Sequence, residues 1–358
     1  MNTPEPGPPR GRVMVTGATG LLGTAVVSQL LGEGREVTAL VRDAGKAARQ
    51  FRPHPGLTVV TADILRPETY RGALPGVAAV IHTAAYFREY YLPDADLPRL
   101  FATNVDAVTT LLREAVAAGV PTVVQTSSVN TLGAGTAEEP ANESAGPPPG
   151  WERNAYRASK VRAEAAVRAF AQDPEYAGRI RVPLVLPGWM WGPADAGPTS
   201  AGRLFLAVAR RGIKAVPRAG NHVVDARDVA YALVRAADQG EHLRRYIVAG
   251  RWRSLSGTCA AVAHATGVPA PREVPARAAI AFATVLETKA RLRGTPPVAT
   301  REGVRALLDG DRTRITSARA QRELGVTFRP LARTLADTAA WYHRAGLLDH
   351  VVPEESAA

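Results

Sequence analysis

The stretch Val13-Met14-Val15-Thr16-Gly17-Ala18-Thr19-Gly20-Leu21-Leu22-Gly23 decides the fold. Val13, Met14 and Val15 form an apolar run that reads as a buried strand, and it ends in a turn whose glycines are spaced Gly-x-x-Gly-x-x-Gly. Residues 21–31 then repeat apolar side chains at helical spacing. Strand, glycine turn and helix in that order are the setting in which such a motif binds a dinucleotide. Gly17 permits the tight turn, Gly20 lets the main chain approach a pyrophosphate, and Gly23 lets the helix pack closely on the strand. Together with Thr19, Leu21 and Leu22 they set the amino end of a helix, with its partial positive charge, against the phosphates. A glycine turn without a ligand is the rival reading, and the flanking strand and helix argue against it.

Working outward, Glu36-Val37-Thr38-Ala39-Leu40-Val41 reads as a second strand. An acidic residue at its end would hold the ribose hydroxyls of NAD. Arg42 stands there instead, and a guanidinium suits a ribose 2′-phosphate. NADP(H) is therefore favoured, while Asp43, one residue later, leaves NAD(H) open. A third strand, Leu57-Thr58-Val59-Val60, leads to Asp63 and Ile64. The Asp63 carboxylate is placed either to bond the adenine amino group or to cap a helix. A fourth strand over 77–82 ends in Thr83-Ala84-Ala85, small residues that let main chain lie against a cofactor. This alternation predicts an α/β fold of Rossmann type, a doubly wound parallel sheet over about 12–186.

A helix is expected over 97–118, a strand over 122–125 ending in Thr126-Ser127-Ser128, and an aperiodic, mobile loop over 133–150. A helix opened by Asn154-Ala155-Tyr156 runs to about 172, then a strand over 179–186 leads into Pro187-Gly188-Trp189-Met190-Trp191-Gly192-Pro193. Beyond this the alternation weakens. Helices are expected at 201–211 and 227–237, short strands at 223–225 and 246–248, and mostly helix thereafter. Residues 187–350 are read as a smaller, mostly helical substrate lobe, with segments near 215–250 returning to the sheet. Residues 1–11 and 351–358 are read as tails.

The chain has 358 residues, 46% of them hydrophobic and 22% charged, enough to bury a large core. Its single cysteine, Cys259, excludes an internal disulfide and suits a reducing compartment and a packing role. The opening dozen residues lack the apolar core of a signal peptide, and the greasy run 278–286 is too short to span a bilayer. The expectation is a cytoplasmic protein without a membrane partner. The helix around 278–292 stays open as a lid, a dimer contact or a core helix. A net charge of +11 raises the question of nucleic acid, but the arginines are scattered and no nucleic-acid module is present. A nucleic-acid partner is not expected.

Tyr156 and Lys160 stand four apart in a helical stretch and so share a face. An ammonium beside a phenol stabilises the phenolate, which makes the tyrosine a usable general acid or base. Ser128, at the end of a neighbouring strand, is placed to bond the same reacting oxygen. Ser127 is its near rival.

Taken together, Thr16-Gly17-Ala18-Thr19-Gly20-Leu21-Leu22-Gly23, Asp63, His82-Thr83-Ala84-Ala85, Asn104-Val105, Ser127-Ser128, Tyr156-x-x-x-Lys160 and Pro187-Gly188 through Gly192-Pro193 resemble the extended short-chain dehydrogenase/reductases. This superfamily includes the NAD-dependent epimerase/dehydratases, and the likeness covers roughly residues 12–250. Within it the chain is most similar to the dihydroflavonol 4-reductase and 3β-hydroxysteroid dehydrogenase-like branch. The resemblance implies that Tyr156 is the acid/base, that Lys160 also holds the nicotinamide ribose, and that Ser128 orients a carbonyl. It further implies that Asn104 supports the site through a water or main-chain contact, and that Pro187 and Gly188 lie against the nicotinamide. Ala107 departs from the family's frequent glycine three residues after the asparagine. Family habit also suggests a homodimer.

Within that family, dehydratases place an acidic pair where this chain has Val129-Asn130, and epimerases often place an asparagine where it has Trp189-Met190-Trp191. The expected activity is NADPH-dependent reduction of a ketone or aldehyde, or the reverse alcohol oxidation, on a small apolar or aromatic metabolite. Tyr86, Ser128, Val129, Trp189 and Met190 are the candidate substrate contacts, with Trp189, Met190 and Trp191 open between pocket and core. A nucleotide-sugar epimerase or dehydratase with internally recycled cofactor, and a non-catalytic dinucleotide sensor, are the alternatives. No metal ligands are expected.

Overall fold

The computed structural model describes residues 11–87, 95–293 and 313–349, together with Val304 and Leu308. The expected tails at 1–10 and 351–358 lie outside the described residues; Gly11, within them, is exposed.

In chain order the first half runs β1 (Val13–Thr16), α1 (Leu21–Gly32), β2 (Val37–Val41), α2 (Ala44–Gln50), β3 (Leu57–Thr61), β4 (Ala79–His82), α3 (Leu97–Phe101), α4 (Ala107–Ala117), β5 (Val123–Thr126) and α5 (Ala155–Gln172). The second half runs β6 (Leu184–Pro187), β7 (Trp189–Trp191), α6 (Ser200–Ala209), β8 (Ala215–Pro217), β9 (Gly220–Asp225), α7 (Ala226–Gln239), β10 (Arg245–Val248), β11 (Arg251–Ser254), α8 (Leu255–Thr266), β12 (Arg272–Val274), α9 (Ala276–Arg293), α10 (Ala318–Leu324) and α11 (Leu331–Arg344).

Seven strands make one sheet in the order β10-β6-β5-β4-β1-β2-β3, and every pairing in it is parallel. The order reverses beside β1, so a crevice opens at the carboxyl ends of β1 and β4, where open α/β sheets bind ligands. The inner strands read as near-continuous apolar runs because both their faces are covered. Val13 and Val15 of β1 face a core shared with α1, α7 and α10. Met14 faces the opposite core, built with α4 and α5. β3 closes one edge and is largely exposed.

Two details, one helical and one in a strand, depart from the periodicity. The helix expected over 97–118 is broken by a π turn over Ala102–Asp106 that contains Asn104. The strand expected over 179–186 keeps its regular ladder only at Leu184–Pro187; Arg181 makes an isolated bridge with Thr122, and Pro183 has no N–H to continue the pairing. The 133–150 segment is aperiodic, as expected, but it is pinned rather than loose. Gly135 and Ala141 bridge Arg314 and Ile315, and the buried Glu143 carboxylate accepts from Ile247 N at 3.2 Å.

After Pro187 the chain is mostly helical, as expected, but holds more short strands than its sequence suggests. β11, β9 and β7 form a three-stranded sheet, and β12 pairs with β8. Against these pack α6, α8 and α11, around a third core of Trp191, Phe205, Cys259, Leu335 and Tyr342. Cys259 is fully buried there, as its packing role requires. α7 and β10 return to the large sheet. Among the described residues, no helix is long and apolar enough to cross a membrane, and no cluster of His, Cys, Asp or Glu could hold a metal ion.

Candidate active site

The turn after β1 is shaped by close main-chain approaches. Gly17 has φ +65°, and a Cβ there would lie 2.8 Å from the Ala84 nitrogen and Cα. Gly23 has a different reason from the one expected. A Cβ on it would meet the turn itself, 2.2 Å from the Gly17 carbonyl oxygen and 2.8 Å from Ala18 Cα, rather than the strand. Gly20 is the N-cap of α1, exposed, and no side chain caps that end. Thr19 is half-buried beside it, and Leu21 and Leu22 are buried under the turn. An uncapped helix end framed by glycines suits an anionic group, so these residues fit a dinucleotide pyrophosphate.

The turn is tied to the end of β4. Thr16 Oγ1 accepts from Ala84 N at 3.3 Å and lies 2.7 Å from His82 Nδ1, while Thr83 Oγ1 donates to the Thr16 carbonyl at 2.7 Å. Burial, and then the nearby Lys160 ammonium, push the His82 pKa down to about 3. Ala84 and Ala85 present half-buried small side chains in the crevice.

Arg42 is exposed just past β2, and Asp43 turns out to cap α2, its carboxylate accepting from Lys46 N at 2.9 Å. Asp63 accepts from Leu65 N at 3.0 Å, a local Asx turn, with Ile64 half-buried against the α4/α5 core. Both acidic groups thus have a structural task.

On the other side of the crevice, α5 starts where the Asn154 side chain accepts from Arg157 N at 2.8 Å. Tyr156, Lys160 and Glu164 follow on one buried face. Lys160 Nζ donates to the Thr126 carbonyl at 3.1 Å, which locks the helix against the end of β5. Burial lowers the Lys160 pKa to about 8, partly offset by the charge of Glu164. The next residues are the two candidate serines. Ser127 Oγ donates to Glu164 Oε1 at 2.5 Å, so its hydroxyl is committed. Ser128 Oγ accepts from Asn130 N at 3.2 Å, which leaves its own O–H to donate. The two hydroxyls thus differ: Ser127 is held by Glu164, and Ser128 keeps its hydrogen.

Asn104 is buried and fully engaged, to Tyr86 main chain and to Ser159 Oγ. Tyr86 is half-buried, and its hydroxyl accepts from Asp96 N at 3.0 Å. Phe87, absent from the sequence reading, sets its ring against Tyr156, centroids 4.9 Å apart and planes at 61°. Val129 is half-buried against a small core beside β6. Pro187 is buried, and Gly188 is needed because a Cβ there would lie 2.6 Å from the Ala249 oxygen. Of the three aromatic-stretch residues, Trp191 is core, 1% exposed, whereas Trp189 and Met190 are partly exposed on opposite faces of β7. Glu164, Arg245 and Phe87 belong to no motif. The one signal that marks Glu164 is its position, one helical turn past Lys160.

A model of the NAD dependent epimerase/dehydratase family matches residues 13–249, which holds the turn, Asn104, Ser128, Tyr156 and Lys160. The chain belongs to that family. A "Putative dihydroflavonol 4-reductase" of Synechocystis sp. is 30% identical over 93% of this chain and 94% of its own length. "Sterol demethylase protein B" of Methylococcus capsulatus is 31% identical over 94% of this chain and 99% of its own. Among solved structures, gox2253 is 29% identical with a TM-score of 0.76, over 94% of this chain and 99% of its own. With reductase- and dehydrogenase-named relatives across the family, this member is an oxidoreductase enzyme.

Proposed function

We propose that this family member reduces a ketone or aldehyde carbonyl on a small apolar or aromatic metabolite, using NADPH. The observation that carries the reading is the division of labour between the serines. Ser127 is tied to Glu164, while Ser128 keeps a hydroxyl to donate beside the buried Tyr156 and Lys160.

Gly17, Thr19, Gly20, Leu21, Leu22 and Gly23 would cradle the pyrophosphate of the dinucleotide, with Asp63 and Ile64 beside the adenine and Thr83 to Ala85, Pro187 and Gly188 along its nicotinamide half. Bound there, the nicotinamide supplies the hydride. Ser128 donates to the substrate carbonyl oxygen and orients it. Tyr156 gives that oxygen its proton, so a carbonyl becomes an alcohol and a phenolate remains. The Lys160 ammonium stabilises the phenolate until a proton returns from solvent. Phe87 and Trp189 offer apolar surface to the substrate, Met190 pointing to the other face of β7, and the lobe of β7, β9, β11, α6, α8 and α11 folds over it. Arg42 reads the 2′-phosphate, a choice supported by Asp43 being held as a helix cap.

The test is net NADPH consumption with a panel of ketones, aldehydes and nucleotide sugars, wild type against Tyr156→Phe. Carbonyl-dependent consumption that falls by ~10²–10⁴-fold in the variant supports the reading. Conversion of a nucleotide sugar without net cofactor loss replaces it with the epimerase or dehydratase activity. Tight cofactor binding with no turnover across the panel favours the sensor.

A further inference from the structure

Behind the reacting face lies a buried polar cluster that no motif announces. Glu164 Oε1 accepts from Ser127 Oγ at 2.5 Å and lies 2.9 Å from Thr131 Oγ1. Its other oxygen lies 3.2 Å from Arg245 Nε of β10. Ser127 and Thr131 flank Ser128, and the Thr131 amide donates back to the Ser128 carbonyl at 3.1 Å. One carboxylate thus grips the serine-bearing turn from both sides. It does so from the helix that carries Tyr156, and it stands one turn from Lys160. Arg245 completes the arrangement by donating to Thr131 Oγ1 at 2.8 Å and to the Ala145 carbonyl at 2.8 Å.

We propose that Glu164 is a positioning residue of this site, a charged strut that fixes the Ser128 turn against α5 and holds the Lys160 ammonium in its charged form. The inference rests on the roles given above to Ser128, Tyr156 and Lys160. A carboxylate buried to 7% exposure needs strong partners, and two hydroxyls with a guanidinium supply them. Its negative charge also opposes the desolvation that lowers the Lys160 pKa to about 8. The charged and titratable groups near Lys160 and Glu164 are His82 on β4, which interacts with Lys160, and Arg245 on β10, which pairs with Glu164 and is itself flanked by Arg168 on α5, Glu143 in the 133–150 segment and Arg319 on α10.

The experiment compares Glu164→Gln and Ser127→Ala with the full-length wild type. It reads NADPH affinity by fluorescence from about pH 6 to 10, and kcat and KM on a carbonyl substrate from the panel. Glu164→Gln keeps the Oε1 acceptor for both hydroxyls and loses the charge together with the oxygen that faces Arg245 Nε. The expected result is that its alkaline fall in NADPH affinity moves to lower pH by about one unit, since Lys160 gives up its proton sooner. Its kcat falls by about tenfold. Ser127→Ala keeps the charge and loses one tether, so kcat falls several-fold while KM for cofactor and the alkaline limb stay in place. A Glu164→Gln profile superimposed on wild type overturns the electrostatic role, and a Ser127→Ala enzyme of wild-type kcat overturns the strut. If wild type itself turns over no carbonyl compound, the reductase reading fails. The affinity profile, which needs no substrate, still decides the effect of the Glu164 charge.

Discussion

Asn104 holds the main chain of Tyr86 from both sides: Oδ1 accepts from Tyr86 N at 2.7 Å and Nδ2 donates to Tyr86 O at 3.2 Å. The same Nδ2 donates to Ser159 Oγ at 3.0 Å, inside the α5 interface. A π turn supplies the residue at this point, so the side chain reaches the substrate-side segment and the acid-bearing helix together. Asn104→Asp keeps the acceptor and loses both donors. We expect a loss of about 1–3 kcal/mol in urea unfolding. The substrate KM should rise more than kcat falls, because Tyr86 and Phe87 lose their anchor.

The glycines of the turn are not equivalent. Gly23→Ala would force a Cβ to within 2.2 Å of the Gly17 carbonyl oxygen, whereas the nearest atom to a Cβ on Gly20 is 3.3 Å away. Gly23→Ala should therefore distort the whole turn and weaken cofactor binding by more than about tenfold, with a stability loss of about 1–3 kcal/mol. Gly20→Ala should be milder in both. Isothermal titration with NADPH and thermal melts of the two variants separate these outcomes, and the opposite order would contradict the geometry.

Cofactor choice should follow Arg42 rather than Asp43. Replacing Arg42 by serine should raise the Kd for NADPH by about 10–100-fold and leave that for NADH nearly unchanged. Asp43→Ala removes the α2 cap, at a cost of about 1 kcal/mol, and should leave the ratio of the two affinities where it was. If Asp43→Ala instead raises the NADH Kd alone, the carboxylate reads the ribose.

Acid should weaken the fold through buried histidines. Burial holds the pKa of His82 near about 3 and that of His222 near about 4, against 6.5 for the free side chain. Below pH 6.5 the unfolded chain takes up protons that the native one refuses. The stability these groups allow is full above that point and is lost as pH falls toward 4 and then 3. The limiting slope is about 1.4 kcal/mol per pH unit for each histidine. His82→Asn should flatten the plot of urea midpoint against pH between about 6.5 and 4, even if it lowers the midpoint at neutral pH. An unchanged slope would mean that native His82 takes up its proton in this window just as the unfolded chain does.

The large sheet was legible because its signals are local. The apolar runs of β1, β4 and β5 each end in glycine or small polar residues within a few positions, and the Tyr156–Lys160 pair sits on one helix turn. The lobe was not legible for the converse reason. β7 and β8 have three residues each, and β7 pairs with Val223 to Asp225 of β9, far along the chain. β11 is four residues long, two of them exposed arginines, which is too short a run to mark a strand. The choice between Ser127 and Ser128 depended on Glu164, 37 residues away, and a motif carries no record of a partner at that distance. The reason for Gly23 was hidden in the same way, since the clash it avoids is with a carbonyl whose direction only the folded turn sets.

The chain leaves the large sheet at Pro187 and rejoins it at Arg245, where β10 pairs along β6. During synthesis, β6 must therefore wait as a bare edge while the ribosome delivers β7 through α7, and only then is it covered. A chain interrupted in that interval would present Leu184, Val185 and Leu186, all buried in the finished protein, to any passing strand. For the same reason no single cut of the gene yields one half with a closed sheet and another with the lobe, so recombination that shuffles the lobe needs two junctions, one on each side of the excursion.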